Sequence, residues 1–365
     1  MDKVTKKQKK QNKNRKNKTI TRPNSKSKKK TITKEKIKSK LSQKAKPTYK
    51  FVYVNENNKR IKDEKILERI KNMRIPPAYE NVRISSNSKS NLQATGYDKM
   101  GRKQYIYNPD FVEKNKIKKY NDISKLGKYI HNIENDINNG INKIYKKPFD
   151  KWVQPESNIT IVLYLLTKCN FRVGNLKYAK KYGSYGSTTL MNNHIKQNGN
   201  NMVIEFTGKK GVINKKEIDE PKIIKILQTL KTNKPGYLFT YINGTGEHLI
   251  TSEHINDYLA KYDNSIVPKM FRTWYGNSYF IDKIVGDYKK KNNNIMDIIN
   301  FQKKQTPKQI QTQRRKYIQE CCQHVANKLH NTPAITRKSY IDDRLINNFI
   351  KNPSQTLHKF IKKSR

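Results

Sequence analysis

The stretch Asn331-Thr332-Pro333-Ala334-Ile335-Thr336-Arg337-Lys338-Ser339-Tyr340 decides how the rest of this 365-residue chain is interpreted. Its Thr-Pro pair predicts a polar turn that presents the Tyr340 hydroxyl among cationic side chains. A phenol with an ordinary pKa of about 10 is a weak nucleophile at neutral pH. Held among arginines and lysines, it can attack a phosphodiester and form a phosphotyrosine. Taken alone, the stretch also fits a buried ring with a satisfied hydroxyl, so the interpretation depends on cations elsewhere.

The net charge indicates what kind of molecule the protein binds. Lysine and arginine number 79 against 29 aspartates and glutamates, which gives a formal net charge of +50. A charge of that size is typical of a protein that binds a nucleic acid, partly through the release of counterions. A membrane fits poorly, because no apolar run approaches the roughly 20 residues of a spanning helix. We therefore predict DNA or RNA as the partner and no membrane association.

The cysteines predict an intracellular, reducing compartment. Cys169, Cys321 and Cys322 do not make a disulfide framework, and no apolar core of a signal peptide is present. The group formed by Cys321, Cys322, His324 and His330 lacks the paired spacing of a zinc site. We therefore predict no metal there.

Changes in composition divide the chain into three predicted segments. Residues 1–47 are nearly all Lys, Asn, Thr, Ser and Gln, which predicts a disordered basic tail. This tail is either a non-specific DNA tether or a solubilising or targeting arm. Residues 48–118 are predicted to form a small β-rich DNA-binding domain, and residues 119–365 a mostly α-helical domain with a small antiparallel sheet, so the fold class is α+β. Helices are predicted at Asp63–Met73, Tyr120–Tyr145, Ile159–Cys169, Glu217–Leu230, Ser252–Tyr262 and Gln309–His330.

A predicted hairpin strand in the β-rich segment carries candidate DNA contacts. Its period of two places Tyr105 and Tyr107 on one face. Gln104 can pair with N6 and N7 of adenine, while Arg102 and Lys103 can contact phosphates. The alternative is that the two tyrosines pack on a small sheet core.

Three further positions in the helical segment are candidates for a cationic site. Arg172 follows a buried helix and can point its guanidinium into a cleft, although an arginine at a helix end is commonly a solvated cap. Lys209 lies in a hairpin turn flanked by glycines, where a lysine is ordinarily solvated. Arg272 and Asn277 flank two aromatic residues at the start of another apolar stretch.

Taken in order, these elements resemble the catalytic residues of the type IB DNA topoisomerases. Arg172, Lys209, Lys269-x-x-Arg272 and the turn that ends at Tyr340 carry the resemblance, which is to the small form of poxviruses and giant DNA viruses such as mimivirus. It covers the chain from about Tyr49 onward and includes two signatures of the β-rich segment. These signatures are Ile75-Pro76-Pro77-Ala78 and Gly101-Arg102-Lys103-Gln104-Tyr105-Ile106-Tyr107.

One position departs from the family. Several relatives have a histidine nine residues before the tyrosine, where this chain has Asn331, next to His330. Asparagine can donate a neutral hydrogen bond to a phosphate oxygen but cannot supply a positive charge. The departure implies a modest loss of rate or a compensating donor.

The resemblance implies the chemistry of an isomerase that needs neither ATP nor a metal. Tyr340 would form a 3′-phosphotyrosine, and Arg172, Arg272 and Asn331 would bind the phosphate oxygens. Lys209 would protonate the leaving oxygen, with Lys269 relaying the proton, and Asn277 would support the site. The broken strand would swivel, relaxing supercoils of either sign, before religation.

The resemblance also implies a monomer that closes around duplex DNA as a clamp. The strand with Gln104, Tyr105 and Tyr107 would lie in the major groove. If the chain is viral, it would act at the cytoplasmic replication site or in the virion.

Two other functions stay open from the sequence. A tyrosine recombinase uses the same chemistry, but its second arginine normally follows a His-x-x pattern, and here Lys269 stands three residues before Arg272. Its N-terminal domain is also generally helical. A non-catalytic protein that compacts DNA would need only the charge.

Overall fold

The computed structural model describes residues 31–38, 49–146, 154–231, 235–292, 294 and 305–363. The chain forms two compact units, Met1–Ile117 and Lys118–Arg365. The described residues combine helices with small antiparallel sheets, which confirms the predicted α+β class.

The first unit is built on a five-stranded antiparallel sheet with the order β2-β1-β3-β4-β5. Helix α1 begins after Asp63, whose carboxylate accepts a hydrogen bond from the Ile66 amide as an N-cap. Ile70 of α1 packs with Val82, Ile84 and other apolar side chains of the sheet in a small core. The elements are β1 (Thr31–Lys38), β2 (Tyr49–Val54), α1 (Glu64–Asn72), β3 (Glu80–Ser85), β4 (Leu92–Tyr97) and β5 (Lys103–Tyr107).

Strand β1 corrects the prediction for the basic tail. It lies between β2 and β3, and its Ile32 is only 4% exposed in the core of the sheet. The strand was missed because composition predicts disorder from the lysines, whereas two neighbouring strands supply the backbone hydrogen bonds for these residues. The other parts of the predicted tail, 1–30 and 39–47, lie outside the described residues.

Two long helices and a buried helix position the site in the second unit. Helix α2 (Pro109–Tyr145) starts earlier than predicted and buries a stripe of side chains at helical spacing, from Tyr120 to Ile144. Helix α3 (Pro155–Thr167) is buried on every side from Ser157 onward, as its continuous apolar sequence indicates. Helix α7 (Lys269–Lys290) contacts α3.

The remaining elements of the second unit include three short antiparallel pairings, and they either extend the core around α2 and α3 or form a separate apolar core together with α7. The separate core contains residues of α7, α8, α10 and α11 and supports the segment that carries Tyr340. Among the described residues, no helix is long and apolar enough to cross a membrane. The bounds are α4 (Leu176–Tyr182), β6 (Ile195–Asn198), β7 (Asn201–Thr207), β8 (Ile213–Ile218), α5 (Pro221–Leu230), β9 (Thr240–Asn243), β10 (Gly246–Leu249), α6 (Ser252–Leu259), α8 (Pro307–Lys328), α9 (Pro333–Ser339), α10 (Asp343–Lys351) and α11 (Pro353–Lys363).

One predicted helix begins later than the sequence pattern indicated. Glu217 and Ile218 belong to β8, where they pair with Val203 and Met202 of β7. Helix α5 starts only at Pro221, a residue suited to the first helical position because its missing N–H would have no partner there. The hairpin of β9 and β10 was not predicted.

Candidate active site

Tyr340 lies at the end of a short helix. Helix α9 begins after Thr332, whose hydroxyl accepts a hydrogen bond from the Ile335 amide, and has Pro333 at its first position. The Tyr340 amide donates to the Thr336 carbonyl at 2.9 Å, and Tyr340 is the C-cap. The predicted polar turn is therefore wrong. The Thr-Pro pair is an N-cap followed by N1, which is typical of a helix start.

Arg272 lies in the first turn of α7 and is almost fully buried. It is 3% exposed, and its two terminal nitrogens donate to the carbonyl oxygens of Asn170 and Leu329. Its guanidinium carbon is 5.1 Å from the centroid of the Tyr340 ring. Burial and the nearby charge of Arg172 lower its pKa to about 10, so the group is still a cation at neutral pH.

Arg172 reaches the tyrosine hydroxyl from the loop after α3. Its Nη2 is 3.0 Å from Oδ1 of Asn331 and 3.4 Å from the hydroxyl oxygen of Tyr340. The Arg172 carbonyl accepts a hydrogen bond from the Ser187 amide at 2.8 Å, which fixes the loop. The structure thus brings Arg172, Arg272, Asn331 and Tyr340 together.

Two buried N–H groups of this cluster have no partner among the described residues. Because Oδ1 of Asn331 accepts from Arg172, its Nδ2 is the remaining donor of the amide, and it is unpaired. The Nε of Arg272 is also buried and unpaired. Buried donors are normally satisfied, and an anion with several oxygens is the kind of ligand that would accept hydrogen bonds from both.

The hydroxyl of Tyr340 is more acidic than an ordinary phenol. Partial burial alone would raise its pKa, but the positive charges of Arg272 and Arg172 outweigh burial and lower the pKa to about 8. An opposite charge nearby favours the ionised form. The cluster therefore stabilises a phenolate.

His330 does not provide a further charge. Burial, together with the charge of Arg272, lowers the pKa of its imidazole to about 4, so the ring is neutral at neutral pH. The ring lies 5.6 Å from that of Phe171, centroid to centroid.

The backbone around Tyr340 is held by side chains from two helices. Asn277 of α7 donates to the Tyr340 carbonyl at 3.1 Å and accepts from the Asp342 amide at 2.8 Å. Lys119 of α2 donates to the Ser339 carbonyl, and the buried hydroxyl of Tyr120 donates to the Ile341 carbonyl at 2.5 Å. Asn277 was predicted from the sequence as a site residue, whereas Lys119 and Tyr120 were not, because they belong to no recognisable motif.

Two predicted site residues lie outside this contact network. Lys209 is exposed in the turn between β7 and β8, and Lys269 is exposed at the first position of α7. In the part of the chain that the structure describes, neither lysine forms a hydrogen bond or ion pair with Arg172, Arg272 or Tyr340.

Strand β5, which the sequence predicts to contact DNA, agrees only in part with the prediction. Tyr105 and Tyr107 are 51% and 44% exposed, and their stacked rings have centroids 6.4 Å apart. Packing on the sheet core, the alternative considered from sequence, is therefore wrong. Lys103 is exposed on the same face of β5, whereas Gln104 faces the other side. The Gln104 amide donates to Asp98, which also pairs with Arg102.

Comparison with known proteins identifies the family. Residues 108–364 match the model of the eukaryotic DNA topoisomerase I catalytic core, and residues 50–98 match the N-terminal domain of bacterial DNA topoisomerase IB. DNA topoisomerase 1B of Acanthamoeba polyphaga mimivirus is 29% identical over 317 residues, which cover 83% of this chain and 86% of the relative. DNA topoisomerase 1B of vaccinia virus is 32% identical over 116 residues, which cover 31% of this chain and 34% of the relative. DNA topoisomerase I of monkeypox virus is 31% identical over the same shares.

A tyrosine beside two arginines on a mostly helical unit, preceded by a small sheet unit, fits the class of DNA-binding isomerases that these matches define. The chain belongs to the type IB DNA topoisomerases, which confirms the resemblance found in its sequence. Its substrate is DNA.

Proposed function

We propose that Tyr340 attacks a backbone phosphorus of duplex DNA and forms a 3′-phosphotyrosine. The bond between the Tyr340 oxygen and phosphorus forms while the bond from phosphorus to the 5′ oxygen breaks. What supports the proposal is that Arg172 contacts both the Tyr340 hydroxyl and Asn331, that the guanidinium of Arg272 lies beside the Tyr340 ring, and that two N–H groups of this cluster are buried and unpaired. With a pKa of about 8, an appreciable share of Tyr340 is already phenolate at neutral pH.

The two arginines and Asn331 bind the non-bridging oxygens of the phosphate. Negative charge grows on those oxygens in the pentacoordinate transition state, and fixed donors already aimed at them need little reorganisation. Guanidinium groups are suited to this because they stay charged and bind two oxygens at once. Removing one such donor typically slows an enzyme by about 10²- to 10³-fold.

Lys209 is the general acid for the leaving group. The 5′ oxygen of deoxyribose is too basic to leave as an alkoxide, so it takes a proton from the Lys209 ammonium, and Lys269 relays protons. Religation runs through the same groups in reverse. Because the ester keeps the bond energy, we propose that neither ATP nor a metal ion takes part.

Between cleavage and religation, the downstream duplex swivels and supercoils of either sign relax. Tyr105 and Tyr107, together with Gln104, contact the major groove, and Arg102 and Lys103 contact phosphates of the backbone. Gln104 is the weakest of these proposed contacts, because its amide donates to Asp98. The enzyme acts as a monomer clamped on DNA inside the cell, and in a virus at the cytoplasmic replication site or in the virion.

The test is relaxation of supercoiled plasmid without ATP or Mg²⁺, followed by peptide mapping of the covalent adduct. We expect relaxation in steps of one linking number and an adduct on Tyr340. Tyr340→Phe should abolish both while the Kd for duplex DNA stays within about twofold, because a phenyl ring has no nucleophile.

A matched control is Tyr317→Phe, which removes another buried hydroxyl, one that donates to Asp287 at 2.9 Å. This control should relax plasmid normally. An adduct that persists in Tyr340→Phe would place the nucleophile elsewhere. Strand exchange that needs two recognition sites would indicate a recombinase, and a gel shift without relaxation would indicate a compacting protein.

A further inference from the structure

We propose that Lys119 and Tyr120, neighbours on helix α2, are positioning residues that hold Tyr340 in line for attack. The inference rests on the proposed function, in which Tyr340 is the nucleophile. Neither residue contacts the hydroxyl of Tyr340 directly. They act on the backbone on either side of it.

Three successive carbonyl oxygens around the nucleophile accept hydrogen bonds from side chains. The Ser339 oxygen accepts from Lys119, the Tyr340 oxygen from Asn277 and the Ile341 oxygen from Tyr120. The donors come from two helices, α2 and α7, that are far apart in sequence. The peptide planes on both sides of Tyr340 are thereby fixed in orientation.

The end of α9 is where such support is required. The last carbonyls of a helix have no partner within the helix and must be satisfied by side chains, water or a tighter turn. Tyr340 has already left helical geometry, with φ −127° and ψ −25°, so its direction is not set by the helix. Here side chains donate to these carbonyls, and they restrict the backbone conformation of residues 339–341.

The Tyr120 hydroxyl is suited to a permanent structural hydrogen bond. The residue is 7% exposed, and burial raises the pKa of its hydroxyl well above the ordinary value, so it remains a donor at any working pH. The Lys119 ammonium lies 4.9 Å from the centroid of the Tyr120 ring and 5.9 Å from that of Tyr340. The Lys119 ammonium is thus near both aromatic rings.

The helix that carries the two residues contacts α7 through the Trp274 side chain. A Cβ added to Gly127 would lie 2.6 Å from the Trp274 ring of α7. Gly127 is seven residues after Tyr120 and so lies on the same face of α2. On α7, a Cβ added to Gly276 would lie 3.2 Å from the Cβ of Tyr340. These close approaches keep the donors of both helices at a set distance from the nucleophile.

The expected effect follows from the distances that attack requires. Reacting atoms must be held at near contact, and a displacement of about 1 Å can cost about 10²-fold in rate. Removing one of these hydrogen bonds loosens the segment without removing any donor to the phosphate. We expect Tyr120→Phe and Lys119→Met each to slow cleavage by about 10- to 100-fold.

The experiment measures single-turnover cleavage of a duplex suicide substrate with enzyme in excess, together with the Kd for the same duplex and the thermal midpoint. In Tyr120→Phe and Lys119→Met, the cleavage rate should fall while the Kd stays within about twofold. Lys119→Arg keeps a cationic donor and should restore most of the rate. The matched control is Tyr317→Phe, because Tyr317 is also 7% exposed but donates to Asp287.

The pH profile separates positioning from a change in ionisation. In Tyr120→Phe the plateau rate should fall while the midpoint stays where it is in the parent enzyme, since Arg172 and Arg272 are unchanged. Rates within twofold of the parent, an equal fall in Tyr317→Phe, or a shifted midpoint would each overturn the inference. Failure of the proposed function gives a different result, an adduct that survives in Tyr340→Phe.

Discussion

At the scale of single residues, Arg272 is held in place by the main chain. Its two terminal nitrogens donate to the Asn170 and Leu329 carbonyls, so it joins the loop after α3 to the end of α8. Lysine could not replace it, because an ammonium cannot reach two carbonyls and still present a planar donor to a third group. Burial of this cation beside a tyrosine explains why the phenol is acidic.

The ionisation of Tyr340 gives a prediction about pH. Attack requires the phenolate, so the single-turnover cleavage rate should rise with pH and level off above a midpoint near the pKa of about 8. Arg172→Ala removes one of the charges that lower this pKa, so its midpoint should move to higher pH while its plateau falls. Cleavage rates measured between about pH 6 and 10 test both effects. A midpoint that is unchanged or lower in Arg172→Ala would contradict this electrostatic account.

Asn331 lies nine residues before Tyr340, and the structure shows how its amide is oriented. Its oxygen is engaged by Arg172, so the nitrogen must face away from that arginine and is available as a donor. The adjacent His330 is neutral at neutral pH, with a pKa of about 4. The cluster therefore holds its positive charge on the two arginines, and His330 adds none.

At the scale of elements, the turn between β7 and β8 is the part of the proposed site that lies outside the contact network of Tyr340. Antiparallel pairing continues to Thr207 and Ile213, and the Gly208 amide donates to the Val212 carbonyl at 2.8 Å. The hairpin therefore presents Lys209 at its tip. Bound DNA is what would bring this lysine and the leaving oxygen together.

The role of the turn can be tested with a modified substrate. Lys209→Ala should slow cleavage of normal DNA by about 10²-fold or more, the size of a lost general acid. A substrate with sulfur at the 5′ bridging position should restore the rate, because a thiolate leaves without a proton.

The control for this test is in the same turn. Lys210→Ala removes an equal charge from the neighbouring position and should leave cleavage of both substrates near the parent rate. If sulfur fails to rescue Lys209→Ala, or rescues Lys210→Ala equally, Lys209 is not the general acid.

At the scale of the whole molecule, the basic N-terminal region has two separable contributions. Residues 1–30 carry 14 lysines and arginines and one aspartate. Residues 31–38 form β1, which pairs with β2 and β3 and buries Ile32. The basic N-terminal region therefore contains both a highly charged part and a strand of the sheet, although its composition predicts disorder throughout.

Two truncations should separate these contributions. Removal of residues 1–30 should leave the thermal midpoint unchanged and make the dependence of log Kd on log salt shallower, since fewer counterions are released. Removal of residues 1–47 should in addition lower the thermal midpoint, because β2 loses its neighbour in the sheet. Thermal melts and DNA titrations at several salt concentrations measure both, and equal melting of the two truncated proteins would contradict the assignment of β1.

The sequence by itself determined the family, the α+β class, DNA as the partner and the order of the candidate residues, because charge, periodicity and motif spacing are local properties of the chain. Only the tertiary structure decided which of these residues meet. Arg172 reaches Asn331 and Tyr340 across 159 and 168 positions, and Lys119 and Tyr120 reach the segment around Tyr340 across more than 200. Such contacts have no local signature, since they depend on where buried helices place backbone carbonyls. For the same reason, β1 could be recognised only from its pairing with β2 and β3.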